Sequence, residues 1–351
     1  MITPKSTVHL AAQYLRPGNG GIAEVARVSA KALARLAPTR GHACRERGDF
    51  AIEGAAVGAY GGSRARFLMG LERASLSSGR FVYDFAGTAR IARLLWPRRP
   101  YAVWAHGIEV WDEVRPDRAA ALARADLVLV NSAYTLARAE PTLGRLHNVK
   151  LCRLGAYADE AAPVARNEGP PTVLLLGRVE PGWPKGQGVL VSLWPRVVAA
   201  VPDARLLLVG KGPALEALRD LARQSSAAGS IEVAGFVPEA EIDGVWARTS
   251  VFAMPSLTEG FGLVFIEAMR RGLPVIASLA DAGAEVNLDG ATGFNLARDN
   301  EGRLVEALVA LLRERDLAAR LGARGQQRFR TEFSFSAFAR RLEASMADFL
   351  G

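Results

Sequence analysis

Lysine is scarce in this 351-residue chain, standing only at positions 5, 31, 150, 185 and 211 among 44 basic residues. The net charge of +8 is therefore carried by arginine spread along the whole sequence. Such a spread reads as a compositional bias and not as a basic patch for nucleic acid, so no nucleic-acid partner is expected. Cysteine is scarcer still: Cys44 and Cys152 have no spacing that fits a zinc site or a disulfide framework. No run approaches the roughly 20 consecutive apolar residues that cross a bilayer. The opening residues alternate like a strand and lack the apolar core of a secretory leader. There is no Asp-x-Asp triplet to hold a divalent metal. These absences point to a cytoplasmic protein with no metal site.

What is present is the composition of a packed globular chain, 50% hydrophobic and 23% charged, and its length fits two domains. The C-terminal half alternates apolar strands, expected at 172–176, 205–209, 231–234, 251–254 and 274–277, with helices at 188–200, 213–224, 239–248 and 262–271. Helices follow at 301–315, 317–329 and 335–350. Strands alternating with helices of this length imply a parallel sheet covered on both faces. The N-terminal half repeats the pattern less cleanly, with strands at 8–14, 81–83, 101–105 and 127–131 and a helix at 22–36; residues 41–62 resist assignment. The polar, Pro-containing stretch 159–171 is the candidate linker. The expected division is 1–165, 166–334 and a terminal helix at 335–351. Segments 9–36 and 173–198 both run strand, Gly-rich loop, helix, one phosphate-cradling start per domain.

The chemistry gathers at strand ends. Pro255-Ser-Leu-Thr-Glu-Gly-Phe-Gly-Leu-Val-Phe-Ile-Glu-Ala-Met269 joins a strand to a helix through the turn Gly260-Phe261-Gly262-Leu263. Unpaired N–H groups at such a helix start favour a phosphate. Glu259 and Glu267 frame the turn; a carboxylate suits a vicinal diol, although two acids near a helix start also simply favour its dipole. Leu176-Gly-Arg-Val-Glu-Pro-Gly-Trp-Pro-Lys-Gly186 places Arg178 and Lys185 around a second Gly-rich turn, where two cations suit a diphosphate; a surface ion pair is the alternative for Arg178. In the first half Pro17-Gly-Asn-Gly-Gly-Ile22 precedes a helix, and His106 ends a strand. No acid at the end of a second strand supports a nicotinamide ribose. Asn131-Ser-Ala-Tyr-Thr135 fits a helix cap. Segment 90–100, running from Arg90 through Trp96 to Pro100, mixes cations with apolar residues. It is a candidate for peripheral contact with the inner membrane face, beside an ordinary surface helix.

The run from Glu259 to Glu267, with Gly-Phe-Gly-Leu between, resembles the retaining glycosyltransferases of family four. The resemblance covers most of the chain and is strongest from 173 to 293. It implies the GT-B architecture: α/β, two Rossmann-like doubly wound domains facing across a cleft, with the terminal helix crossing back to the first. It implies that Glu267 holds the ribose and that Glu259 and His106 contact the transferred sugar. Arg178, Lys185 and the N–H groups from Gly260 to Leu263 would meet the diphosphate. Gly20 and Gly21 would allow close backbone approach, and the base would lie against Phe236 and Val237, with Lys211 a lesser candidate. The loop after Ser278 departs from the family pattern of paired glycines, which leaves Glu285 without a clear role.

The expected function is transfer of a sugar, with retention, from a nucleotide-diphosphate-sugar to a hydroxyl acceptor, either a saccharide or lipid-linked. No carboxylate pair suited to a double displacement is evident, so front-face transfer is expected, without metal or other cofactor. Two other readings use the same groups: a nucleotide-sugar epimerase and a non-catalytic sugar-nucleotide-binding module.

Overall fold

The computed structural model describes residues 6–77, 79–144, 146, 148–162 and 169–351. The chain forms two compact units, Met1–Asp159 with Phe333–Gly351, and Glu160–Glu332. The expected boundary at 165/166 lies outside the described residues.

The first unit is built on an eight-stranded sheet. Its strands are β1 (Thr7–Ala12), β2 (Thr39–Ala43), β3 (Phe50–Ile52), β4 (Ala55–Ala59), β5 (Gly79–Tyr83), β6 (Tyr101–Ala105), β7 (Leu127–Val130) and β8 (Val149–Leu151). They lie in the order β3-β4-β2-β1-β5-β6-β7-β8. All pairings are parallel except β3 with β4. Every residue of β6 and β7 is buried, as a sheet covered on both faces demands. The helix Gly21–Leu36 buries Ala23, Ala26, Ala30 and Leu33, a stripe at spacings of three and four. The last helix, Phe335–Leu350, belongs to this unit. Ser334 caps it by accepting from the Ala337 N–H, and it buries Phe335, Phe338, Leu342 and Met346. Phe338 stacks on Trp104 of β6, while Lys31 and Arg35 sit 4.4 and 4.3 Å over the Phe335 ring.

The second unit carries six parallel strands: β9 (Thr172–Leu176), β10 (Arg205–Val209), β11 (Ile231–Gly235), β12 (Val251–Met254), β13 (Val275–Ser278) and β14 (Gly293–Leu296). Their order is β11-β10-β9-β12-β13-β14. The chain winds outward from β9 through β11, then returns to the other side of β9 as β12. At such a reversal neighbouring loops diverge to opposite faces, and a crevice opens outside the carboxyl ends of the strands. In the first unit the corresponding reversal separates β1 from β5.

Some expectations need correction. Three strands, β2, β3 and β4, fill the stretch 39–59, and β8 and β14 are further strands the pattern did not reveal. The segment 90–100 is not a surface helix: a single 3-10 turn, Arg90–Leu94, gives way to extended chain. The stretch 239–248 splits into a 3-10 turn, Glu239–Glu241, and a short helix, Ile242–Ala247. Among the described residues no helix is long and apolar enough to cross a membrane.

Candidate functional site

In the second unit the reversal between β9 and β12 fixes which loops meet. The loop after β9 carries Arg178 and Lys185, and the loop after β12 carries Glu259. Lys185 Nζ lies 2.6 Å from Glu259 Oε2 and 3.4 Å from the Thr258 carbonyl oxygen. The two charged side chains are 19% and 20% exposed, so this is a half-buried ion pair with open access on one side. Two glycines make the approach feasible. Gly186 has φ +97°, and a Cβ there would stand 2.8 Å from the Pro255 carbonyl oxygen. Gly262 has φ +93°, and a Cβ would fall 2.3 Å from the buried Phe265 ring. Gly262 is the residue before the helix Leu263–Arg270, and no side chain caps that start. The Phe265 N–H turns back to the Gly262 carbonyl oxygen at 3.0 Å, and the first N–H groups of a helix that no side chain caps are suited to an anion.

Arg178 does not join Lys185. It is 77% exposed and pairs with Glu180 at 2.6 Å, although its own carbonyl oxygen is held by the Gln187 amide. Glu267 lies within the helix Leu263–Arg270, just past its first turn, and is engaged by Arg271 at 2.7 Å. Arg271 is itself held by Asp243 at 2.6 Å. Phe236 is 58% exposed just past the end of β11, with Lys211 Nζ 4.6 Å over its ring. Val237 beside it is half-buried. Phe236 and Lys211 thus come together at the ends of adjacent strands, as a flat, open platform.

The pattern-breaking loop after Ser278 contains the residue that sequence reasoning missed. Asp281 is buried and takes the place where paired glycines were expected. Its Oδ2 accepts from the Ser256 hydroxyl and from the Glu259 N–H at 3.0 Å, and its Oδ1 accepts from the Gly283 N–H at 2.9 Å. Ala282 N–H returns a bond to the Glu259 carbonyl oxygen. Burial pushes the Asp281 carboxyl up to about 6, opposed by its hydrogen bonds to Ser256, Gly283 and Glu259. Asp281 therefore straps the Glu259 loop to the loop after β13. The signal available in the sequence was a lone acid flanked by small residues inside a departure from the family pattern.

In the first unit the reversal between β1 and β5 gathers a second group. Asp84, directly after β5, accepts from the Gln13 N–H at 2.7 Å, and the Gln13 amide reaches Thr88 at 3.3 Å. His106, directly after β6, holds the Asp84 carbonyl oxygen through Nε2 at 2.6 Å. The proton is thereby placed on Nε2, and Nδ1 is left for another partner. Burial lowers the His106 pKa, so the imidazole is neutral. Trp104 stacks beneath it, and Asn131 donates to its carbonyl oxygen at 2.7 Å. Burial raises Asp84 to about 7, and its Oδ1 has no partner among the described residues. Gly20 (φ +89°) and Gly21 begin the helix Gly21–Leu36 on open surface, with nothing within 4 Å of a Cβ at Gly20. The loop leading to them is held by Glu46, whose Oε1 accepts from the N–H groups of Leu15 and Arg16 at 2.9 and 2.6 Å. Neither Asp84 nor Glu46 was singled out from the sequence. Ser132, not Asn131, caps the helix Ala133–Leu143.

Residues 170–314 match the family described as glycosyl transferases group 1. A GDP-mannose-dependent alpha-(1-6)-phosphatidylinositol monomannoside mannosyltransferase of Mycobacterium tuberculosis is 33% identical over 266 residues, covering 70% of this chain and 68% of that enzyme. A phosphatidyl-myo-inositol mannosyltransferase of Mycolicibacterium smegmatis is 37% identical over 159 residues, 45% of this chain and 40% of the other. Among solved structures, a sucrose-phosphate synthase from Thermosynechococcus elongatus has a TM-score of 0.83 at 19% identity, covering 98% of this chain and 99% of that one. Anabaena HepE in complex with UDP-glucose has a TM-score of 0.78 at 18% identity, over 97% and 99%. The structural likenesses establish the GT-B fold, with its two Rossmann-like domains. With the family match and the mycobacterial relative beside them, the chain belongs to the group 1 glycosyltransferases.

Proposed function

We propose that this glycosyltransferase moves a hexose, with retention, from a nucleotide-diphosphate-sugar to a hydroxyl of an anionic, lipid-linked acceptor. The observation that carries the reading is the Lys185–Glu259 pair at the strand-order reversal, beside an uncapped helix start. A cation, a helix start that no side chain caps and a carboxylate then converge where a sugar diphosphate would place its phosphates and its hydroxyls. Lys185, Arg178 and the N–H groups from Gly260 to Leu263 would hold the diphosphate. Glu267 would take the ribose, and Phe236 and Val237 the base. Glu259 and neutral His106 would bind hydroxyls of the transferred sugar.

As the glycosidic bond breaks, negative charge grows on the leaving diphosphate, and fixed positive groups there lower the barrier. Glu259 is tied to Lys185 and so is poorly placed as a nucleophile, which favours front-face transfer. The acceptor proton then passes to the leaving phosphate oxygen, and no metal is required.

For the acceptor, two features of the first unit support a charged lipid. A cavity of about 770 Å³ outside β1 and β5 is lined by Arg45, Arg64, Arg93 and Arg118 together with Phe67 and Leu94. Leu94 and Trp96 are 55% and 76% exposed on the segment 90–100, among Arg93, Arg98 and Arg99. Cations beside exposed apolar side chains suit peripheral contact with an anionic membrane. Two of the relatives above are named for phosphatidylinositol acceptors, which points the same way.

The test is a thermal-shift panel of GDP-mannose, UDP-glucose and other nucleotide-sugars, followed by transfer to phosphatidylinositol-type acceptors with the product anomer read by NMR. One donor should stabilise strongly and yield the same anomeric configuration in the product. An inverted product would refute retention. An altered free sugar nucleotide formed without acceptor would favour an epimerase, and tight binding with no transfer a binding module.

A further inference from the structure

Away from the carboxyl ends of the strands, the first unit has a second cavity, about 480 Å³, on the sheet face beside the helix Arg64–Ser75. Its polar lining includes His9, His42, Tyr60, Arg40, Arg66 and Arg73, and among the described residues no acidic one lines it. Arg40, Arg66 and Arg73 are all exposed, and their guanidinium groups have no ion pair or hydrogen bond among the described residues. Most arginines near a carboxylate in this chain use it, as Arg27, Arg90, Arg138 and Arg271 do. Three guanidinium groups around one cavity therefore leave a concentrated positive field, which Asp49, acting on Tyr60 from outside the lining, offsets in part.

The floor is a relay of buried polar groups. The Tyr60 hydroxyl lies 2.8 Å from His42 Nδ1, and His42 Nε2 lies 3.2 Å from His9 Nδ1. His42 and His9 are 2% and 5% exposed. Burial lowers them to about 3 and about 4, helped by Arg40, so both are neutral. The far end of the relay, His9 Nε2, is buried and has no partner among the described residues. A buried ring nitrogen without a partner destabilises the fold unless a ligand completes it. With the Tyr60 hydroxyl donating into the relay, the last N–H is that of His9 Nε2, and an acceptor oxygen is what it lacks.

We propose that this cavity binds a phosphate group, held by Arg40, Arg66 and Arg73 and by the His9–His42–Tyr60 relay. Guanidinium forks match phosphate oxygens in pairs, and a neutral imidazole N–H adds a donor without a competing acid. None of these residues belongs to the donor or acceptor groups assigned above, so the site is separate from the transfer chemistry. The phosphate has two chemically equivalent sources, a soluble phosphate ester or the headgroup of a lipid such as phosphatidic acid.

The test uses the full chain in a buffer free of competing anions. Inorganic phosphate is titrated by calorimetry into the parent, into Arg40→Gln/Arg73→Gln and into Arg178→Ala/Lys185→Ala. The proposal expects binding to weaken at least tenfold in Arg40→Gln/Arg73→Gln and to persist in Arg178→Ala/Lys185→Ala. The reverse pattern, or no phosphate binding by the parent, overturns it. Circular dichroism checks folding, and Arg66→Gln alone serves if the double variant is misfolded. Flotation with phosphatidylcholine vesicles, with and without phosphatidic acid, separates the sources. A lipid site gives phosphatidic-acid-dependent flotation that falls in Arg40→Gln/Arg73→Gln, whereas a soluble-phosphate site gives equal flotation with lost phosphate affinity. Equal flotation together with equal phosphate affinity overturns both forms.

Discussion

Lys185 Nζ stands 2.6 Å from Glu259 Oε2, across 74 residues of sequence. The cation proposed for the diphosphate is thus already partnered by the carboxylate proposed for the sugar. Each group holds the other in place, and a donor must share Lys185 with Glu259.

Glu259→Gln should therefore separate binding from turnover. Freed of its partner, Lys185 should bind free nucleoside diphosphate several-fold more tightly, at most about tenfold, which is ~1.4 kcal/mol. Transfer should fall by about 100-fold or more, as expected when a group aimed at the transition state is lost. Calorimetry and initial rates check both; weaker diphosphate binding would mean that Glu259 does not restrain Lys185.

Removing the cations should show unequal shares. Lys185→Ala alone should weaken diphosphate binding by about 30-fold or more, because the lysine is half-buried and a charge-assisted bond contributes about 2–3 kcal/mol. Arg178→Ala alone should cost about threefold or less, since that side chain is 77% exposed and already paired with Glu180. Together they should abolish measurable affinity. Equal single effects would show that Arg178 swings inward on binding.

Glu267→Ala should weaken nucleotide-sugar binding by about tenfold or more, and the loss should vanish with a 2′,3′-dideoxyribose donor analogue. The analogue matters because Glu267 also pairs with Arg271, and breaking that pair alone would weaken every ligand alike. An equal loss with the analogue rules out the ribose contact.

The acid response of stability should be a balance of opposing groups. His9 and His42 have pKa values lowered to about 4 and about 3 by burial, so the fold binds fewer protons than the unfolded chain below about pH 6.5 and loses stability as pH falls. Asp84 and Asp281 are raised to about 7 and about 6 by burial, so they act in the opposite sense between about pH 7 and 4. Asp84→Asn should steepen the fall in Tm between pH 7 and pH 4.5, and His42→Gln should make it shallower. Scanning calorimetry at the two pH values decides the matter; parallel shifts in all three proteins would show that these groups do not titrate within the fold.

How much of this was legible depended on what each segment buries. The strands Thr172–Leu176 and Tyr101–Ala105 are apolar runs because both faces of the sheet are covered, and the sequence marks them plainly. By contrast, Thr-Arg-Gly-His-Ala, the strand Thr39–Ala43, carries Arg40 and His42 and shows neither an apolar run nor clean alternation. Its stability comes from pairing on both sides with β1 and β4 and from the buried imidazole relay. At the site, Lys185, Glu259 and Gly262 could be singled out because they stand in runs that resemble the family's motifs. Asp281 could not, because its work is to accept hydrogen bonds from Ser256 and Glu259, more than 20 residues away in sequence, and a single acid carries no trace of such partners. Asp84 and Glu46 share that invisibility for the same reason.

The helix Phe335–Leu350 has a consequence for biosynthesis. Its Phe335 and Phe338 fill the core of a unit whose other elements end at Asp159, yet about 170 residues of the second unit are translated in between. The first unit to leave the ribosome is thus the last to be closed. Until Phe338 arrives, the hydrophobic surface around Trp104 stays uncovered, a period when aggregation or chaperone capture is favoured. A ribosome stalled anywhere in the second unit would hold a nascent chain whose first unit still lacks the helix that closes its core.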